Sequence, residues 1–393
     1  MQERAWPQSS RITLASIPAV WRWCVPVWFL SRLALWCWGA FLWMMRMIPG
    51  QPAHAFYYEI QPVQTGLAAP FLWTWLRWDG VNYLRIAQSG YNAEDLSAFF
   101  PLYPLLARWL SPFTGGSQLA ALLLVSNLAF LGVLVLLYQL VEQDFDAPAA
   151  KRAVVAAVLF PTAFFFFTPY PQALALLTTL AAYTCARRSK WLLAAVFGLV
   201  TGLTHTTVQP TAILLAILVF RSLRQQWKWT RLGLFAVALT PLLGYAAYLA
   251  WRVHAGFPPL LELMQSLWGV YPTLPWKAIA EIPLMVKGPF FATVGWVDIL
   301  MFLLAAGMIL RGYRRIPWEA WFYQVSLLIC LLMVTTPGGP LHGMMRYILI
   351  MFPLYVEIGL WTRTKLRKLF AVGIGVALQL YLASLYLLWA WVA

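Results

Sequence analysis

Charge is what this chain has least of. Only 10% of its 393 residues are Asp, Glu, Lys or Arg, against 62% hydrophobic residues and a mean hydropathy of +0.71. No water-soluble domain is built that way, so lipid is the solvent for most of the chain. Cysteine and histidine are also sparse, with four of each. Cys24, Cys37, Cys185 and Cys330 fall inside apolar runs without paired spacing, which indicates neither a disulfide framework nor a metal site. No His/Cys/Asp cluster has ligand spacing, and no Gly-x-Ser-x-Gly or Gly-x-x-x-x-Gly-Lys motif occurs, so no metal or cofactor is implied. Internal repeats and mirrored broken helices are missing as well, and so is any Asn-x-Ser/Thr acceptor. The N-terminus opens on a charged-polar stretch leading into an apolar run too long for a cleavable signal.

What charge there is has a pattern. The net charge is +15, and 19 of the 28 Lys and Arg lie in six short segments. These are the N-terminus (Arg4, Arg11, Arg22), Lys151-Arg152, Arg187 to Lys190, Arg221 to Arg231, Arg311 to Arg315 and Arg363 to Lys368. Hydropathy predicts spans at about 24–48, 117–141, 153–168, 171–186, 191–205, 208–221, 232–251, 291–310, 318–336, 346–362 and 369–391. With about eleven spans every basic segment falls on one side, which is the positive-inside bias and not a nucleic-acid patch. The expectation is one integral membrane domain over 1–393, all-α and multi-pass, with no nucleic-acid partner. Its N-terminus would be cytoplasmic and its C-terminus outside. Two long loops, 49–116 and 252–290, would face outward, with interfacial helices such as one near 101–110.

Among the outward acids (Glu59, Asp79, Glu94, Asp95, Glu262, Glu281 and, near a span end, Asp298), Asp79 has the most apolar setting beside Asp298. Read as one helix from Phe71 to Gln88, the chain puts Leu72, Trp75, Leu76, Asp79, Tyr83 and Ile86 within an arc of ~100°. A carboxylate there is costly unless it is paired or used. Either it locks the fold against a nearby Arg, or it performs chemistry. Asp298 reads as a structural acid paired across helices, a second functional acid being the alternative, and Glu357 reads as structural too, although intramembrane acids are functional candidates by default. Arg346, with His342 and Tyr347, follows the Gly/Pro-rich run Thr335 to Pro340. A helix start carrying Arg and His suits a phosphate, and an Arg snorkelling to headgroups is the alternative. His205, in a run of hydroxyls, is a further candidate ligand.

Arg77-Trp78-Asp79 with Tyr83, then Ala98-Phe99-Phe100-Pro101-Leu102-Tyr103-Pro104, resembles the PIG-V family, the second mannosyltransferases of GPI assembly and their bacterial relatives. Thr168-Pro169-Tyr170-Pro171-Gln172-Ala173-Leu174 is similar to that family's Pro-Tyr-Ser-Glu segment. Arg346-Tyr347 with Phe352-Pro353-Leu354 is similar to its late Arg-Tyr…Phe-Pro element, so the resemblance runs from about 75 to 355. Two positions depart: the family's Glu is Gln172 here, and its Thr-Arg-Pro reads Thr204-His205-Thr206, so substrate identity is not carried over. The resemblance implies a GT-C type membrane glycosyltransferase of a bacterial plasma membrane. Its donor would be a polyprenyl-phosphate-linked, mannose-like hexose, and its acceptor an unidentified glycan, lipid or protein. Arg77, Trp78, Tyr83, Phe100, Tyr103, Gln172, His205, His342, Arg346 and Tyr347 would bind substrate.

Inverting transfer needs one carboxylate, Asp79, as general base on the acceptor hydroxyl; the phosphate leaving group needs charge stabilisation and no proton. A glycoside hydrolase would need two opposed carboxyl groups. A transporter or lipid flippase would need midplane charges, for which only Arg32 and Glu357 are available, and an inactive lipid-binding member of the family is a third reading.

Overall fold

The computed structural model describes residues 17–48, 60, 62–63, 65–225, 229–286 and 294–392. Arg4, Arg11, Glu59 and the start of the predicted span 291–310 lie outside the described residues. The described chain is all-α apart from one short antiparallel ribbon, in which β1 (Tyr271–Pro272) pairs with β2 (Val334–Thr335). The long apolar helices are α1 (Ile17–Met44), α5 (Gln118–Asp144), α9 (Pro210–Gln225), α10 (Phe235–His254) and α17 (Lys365–Leu387). With their adjoining turns these five are long and apolar enough to cross a membrane. A sixth span is reached if α15 (Met344–Tyr347) and α16 (Phe352–Trp361) are taken together with the 3-10 turn between them, across a bend of 87°.

The remaining predicted spans are helical but shorter. They are α6 (Ala147–Val158), α7 (Gln172–Arg187), α8 (Trp191–Gly202), α13 (Trp296–Gly312) and α14 (Trp318–Leu331). The predicted span 153–168 ends as a helix at Val158, and Ala163–Phe166 is a buried 3-10 turn. Three helix starts, those of α5, α6 and α17, carry side-chain caps. Ser117 accepts from Ala120 N–H at 3.2 Å and Thr364 from Arg367 N–H at 3.4 Å, and Asp146 caps α6.

Between α1 and α5 lie α2 (Ala68–Phe71), α3 (Asp79–Ser89) and α4 (Leu102–Leu110). α4 buries Tyr103, Pro104 and Ala107 and exposes Trp109. Beyond α10 lie α11 (Leu260–Trp268) and α12 (Pro275–Met285).

One sequence expectation is corrected here. Phe71 to Gln88 is not a single helix: α2 ends at Phe71, Trp73–Trp75 is a 3-10 turn, and α3 begins only at Asp79. The break is made by Leu76 in an extended conformation and Trp78 at φ +51°, a left-handed value that costs a bulky residue strain. Leu72, Trp75 and Leu76 therefore share no helical arc with Asp79 and Tyr83. Tertiary contacts hold the break. Arg77 turns inward and donates to the carbonyls of Trp73, Leu76 and Leu387, with its guanidinium over the Trp389 ring. Its own carbonyl accepts from the hydroxyls of Tyr170 and Tyr386.

Lipid supplies no hydrophobic drive between helices, so close approach does the holding. α8 and α10 meet through glycines: a Cβ on Gly244 would lie 2.1 Å from Leu199 O, and one on Gly202 2.2 Å from Pro241 O. The basic ends of α9 and α17 lie at the opposite end of each helix from the cavity described below, which Gln209 and Trp391 line. We expect Gly244→Val to separate α8 from α10, with a lower melting temperature in detergent and loss of the monodisperse peak on gel filtration. Gly307→Ala, whose added Cβ meets nothing within 4 Å, should leave both unchanged or raise the melting temperature slightly.

Candidate active site

A cavity of about 620 Å³ collects residues from α3, α10, α11, α14, α15, the Phe99-Phe100 loop, the His205–Gln209 turn, the 332–343 loop and the C-terminal Trp391. Its α11 side is apolar, with Leu260, Leu261, Met264 and Trp268. Its polar residues include Asp79, Tyr83, His205, Thr207, His342, Arg346 and Tyr347.

Asp79 is the first residue of α3, where free backbone N–H groups and the helix dipole favour a carboxylate. Gly80 lets Pro169 pack against this turn, since a Cβ there would lie 2.9 Å from the proline ring. Asp79 Oδ2 accepts from Arg346 Nη1 at 2.5 Å, the two side chains being 17% and 7% exposed. Such a pair is too buried to be a surface ion pair, and removing one partner would strand the other. Asp79 Oδ1 makes no hydrogen bond among the described residues. Arg346 Nη2 donates to the Tyr347 hydroxyl at 2.9 Å, and its guanidinium lies 4.9 Å from the Tyr347 ring and 5.5 Å from that of Tyr170.

The turn that presents Arg346 is held by Asp298. Asp298 is fully buried, and its Oδ1 accepts from Met345 N–H at 2.9 Å. Gly343 opens the turn at φ +78°, a conformation glycine adopts without strain. Asp298 thus satisfies a backbone N–H directly beside Arg346. Its partner is a backbone N–H on another helix, α15. Glu357 also takes a cross-helix partner, accepting from Gln324 Nε2 at 2.9 Å.

His205 is the cap of the 3-10 turn Thr206–Val208, its Nδ1 accepting from Thr207 N–H at 3.2 Å. His342 Nε2 accepts from Trp391 Nε1–H at 3.0 Å, with the rings stacked 5.7 Å apart. Burial, aided by the charge of Arg346, pushes the His342 pKa down from 6.5 to about 4.

Of the sequence-predicted residues, the structure brings Asp79, Tyr83, Phe100, His205, His342, Arg346 and Tyr347 to one cavity. Arg77, Trp78, Tyr103 and Gln172 are not in its lining. Arg77 is the clamp described above, and Trp78 packs edge-to-face on Trp389 and Trp391. The Tyr103 hydroxyl is bonded to Leu122 O and Ser126 Oγ. The Gln172 amide is buried without a hydrogen bond among the described residues. Trp391, Trp268 and Tyr245 were not among the expected residues. Each is one aromatic among many in the sequence, and only its long-range packing sets it on this cavity.

A sequence match gives the family of this apolar, many-helix chain, which gathers one carboxylate and one guanidinium into a single chamber. The model of the family "Mannosyltransferase (PIG-V)" matches residues 27–244, over half of the chain, and the chain belongs to that family. The match includes Asp79, Tyr83, Phe100 and His205 and ends before His342 and Arg346. No curated protein matches. Two solved structures of the Archaeoglobus fulgidus oligosaccharyltransferase are similar. The complex with Zn and sulfate has 15% identity and a TM-score of 0.41, covering 75% of this chain and 45% of that one. The form tethered to an acceptor peptide containing the NVT sequon has 13% identity and a TM-score of 0.39, covering 79% and 51%. The chain thus spans about half the length of these structures.

The histidine gives a pH test. The unfolded chain takes up the His342 proton near its ordinary 6.5, whereas the folded protein takes it up only near 4. The stability tied to the neutral ring is therefore complete above about pH 6.5 and lost as pH falls towards 4. Melting temperature should drop over that window, and less steeply in His342→Gln. An identical drop in the variant would remove His342 as its source.

Proposed function

We propose that this protein transfers a hexose from a polyprenyl-phosphate donor to an acceptor hydroxyl at the outer face of the membrane, with inversion, in the manner of GT-C enzymes. The observation that carries the proposal is the Asp79–Arg346 pair, set in a cavity whose α11 side is apolar. Asp79 takes the proton of the acceptor hydroxyl as its oxygen attacks the anomeric carbon. The bond from that carbon to the phosphate oxygen breaks, and polyprenyl phosphate leaves with the electron pair. Arg346 offers the planar charge that a phosphate accepts, competing with Asp79 for the guanidinium. Tyr83, His205, His342 and Tyr347 bind substrate around them. The apolar lining suits an isoprenoid chain, and aromatic faces such as Trp268 and Phe100 suit a sugar. The acceptor is a glycan, lipid or protein.

The outward orientation is supported by the basic helix ends lying opposite the cavity. In a cysteine-free background, a cysteine at Asn92 should react with an impermeant thiol reagent from outside and one at Gln225 should not. Reversed labelling would put the cavity on the cytoplasmic side.

Because Asp79 is paired, Asp79→Asn strands Arg346 and should cost roughly 3–5 kcal/mol of stability as well as activity. Asp79→Glu is the sharper variant. It keeps the charge and can still reach Arg346, but it moves the base by one methylene. We expect a melting temperature near that of the parent and sugar transfer reduced by about 10²-fold. A Glu variant as active as the parent would end the general-base assignment. Arg346→Lys keeps the charge and loses the fork, and should likewise slow transfer by about 10²-fold. Parental rates would mean that the phosphate binds elsewhere.

A further inference from the structure

We infer that His205 supplies, beside Arg346, a second donor to the donor lipid's phosphate: a neutral Nε2–H whose tautomer is fixed by Thr207. The inference rests on the cavity being the lipid-phosphate site. Nδ1 of His205 accepts from Thr207 N–H at 3.2 Å and lies 2.9 Å from Thr207 Oγ1. A ring nitrogen that accepts a backbone N–H carries no proton, so the neutral imidazole bears its proton on Nε2. Nε2 has no partner among the described residues, while the ring lines the cavity. The ring packs 5.6 Å from that of Tyr347, the residue whose hydroxyl accepts from Arg346. An anion bound to Arg346 would therefore meet a cation and a neutral donor side by side. A second cation there would repel Arg346; a neutral donor adds a hydrogen bond without that cost. The arrangement also explains the run of hydroxyls after His205: Thr207 does the orienting, and the histidine does the reaching.

The structural alternative is that His205 only caps the turn leading into α9, and two isosteres separate the roles. His205→Asn places an oxygen near Nδ1 and keeps the cap but loses the Nε2 donor. His205→Gln places an amide N–H near Nε2 and loses the cap. The readouts are melting temperature and equilibrium binding of undecaprenyl phosphate to the purified protein in detergent. We expect the Asn variant to melt like the parent and bind about tenfold or more weakly, the loss typical of one hydrogen bond to a charged group. The Gln variant should melt lower and recover most of the affinity. Parental affinity in the Asn variant, or no recovery in a folded Gln variant, overturns the inference. Arg346→Gln is measured in parallel. If it binds as the parent does, the reading of the cavity as the phosphate site fails; if it binds weakly while His205→Asn does not, only the role of His205 falls.

Discussion

The contact between Asp79 and Arg346 joins residues 267 positions apart, in a setting where neither charge could be left alone. Much of the local architecture serves that meeting. On one side the chain kinks at Trp78, so that α3 starts at Asp79 with its free N–H groups behind the carboxylate. On the other, Gly343 opens a tight turn and Asp298 satisfies its backbone, so that Arg346 emerges towards α3. Strain at a bulky residue and a fully buried acid both cost stability, and both are tolerated where they deliver the two charged groups to one point.

The rest of the bundle provides the rigidity that such delivery requires. Helices approach each other through glycines, as where α8 meets α10, and buried acids away from the cavity take partners from other helices, as Glu357 does from Gln324. Tyrosine hydroxyls tie backbone across long distances. Tyr386 on α17 reaches Trp75 O at 3.0 Å, and Tyr248 on α10 reaches Ser97 O at 2.9 Å and Phe99 O at 2.8 Å. The first fixes the turn before α3 to a long helix, and the second does the same for the cavity-lining Phe99 loop. The β1–β2 ribbon ties the segment after α11 to the segment before His342.

This framework also explains why Arg77, adjacent in sequence to Trp78 and Asp79, has so different a place. Its guanidinium is consumed by three backbone carbonyls and the Trp389 face, which fastens the kink to the end of α17. Adjacent residues of one motif thus divide the labour: Arg77 builds the bend and Asp79 faces the cavity.

Much of this protein follows from local chemistry that any stretch of the sequence displays. Apolar runs demand lipid and internally bonded helices, the basic segments mark one set of helix ends, and a lone carboxylate among tryptophans marks Asp79 as a residue that must be paired or used. Membership of a mannosyltransferase family was legible in the same motif. Tertiary structure alone decided the rest. Helical periodicity favours one continuous helix through Asp79, but the chain breaks at Leu76 and Trp78, where the carbonyl bonds of Arg77 hold it. Which arginine meets Asp79, that Tyr103 and Gln172 stay out of the cavity lining, and that Trp391 joins it are long-range outcomes. The physical reason is that burial, capping and charge bias act on neighbours in sequence. The pairing of one buried charge with another depends on where distant helices cross.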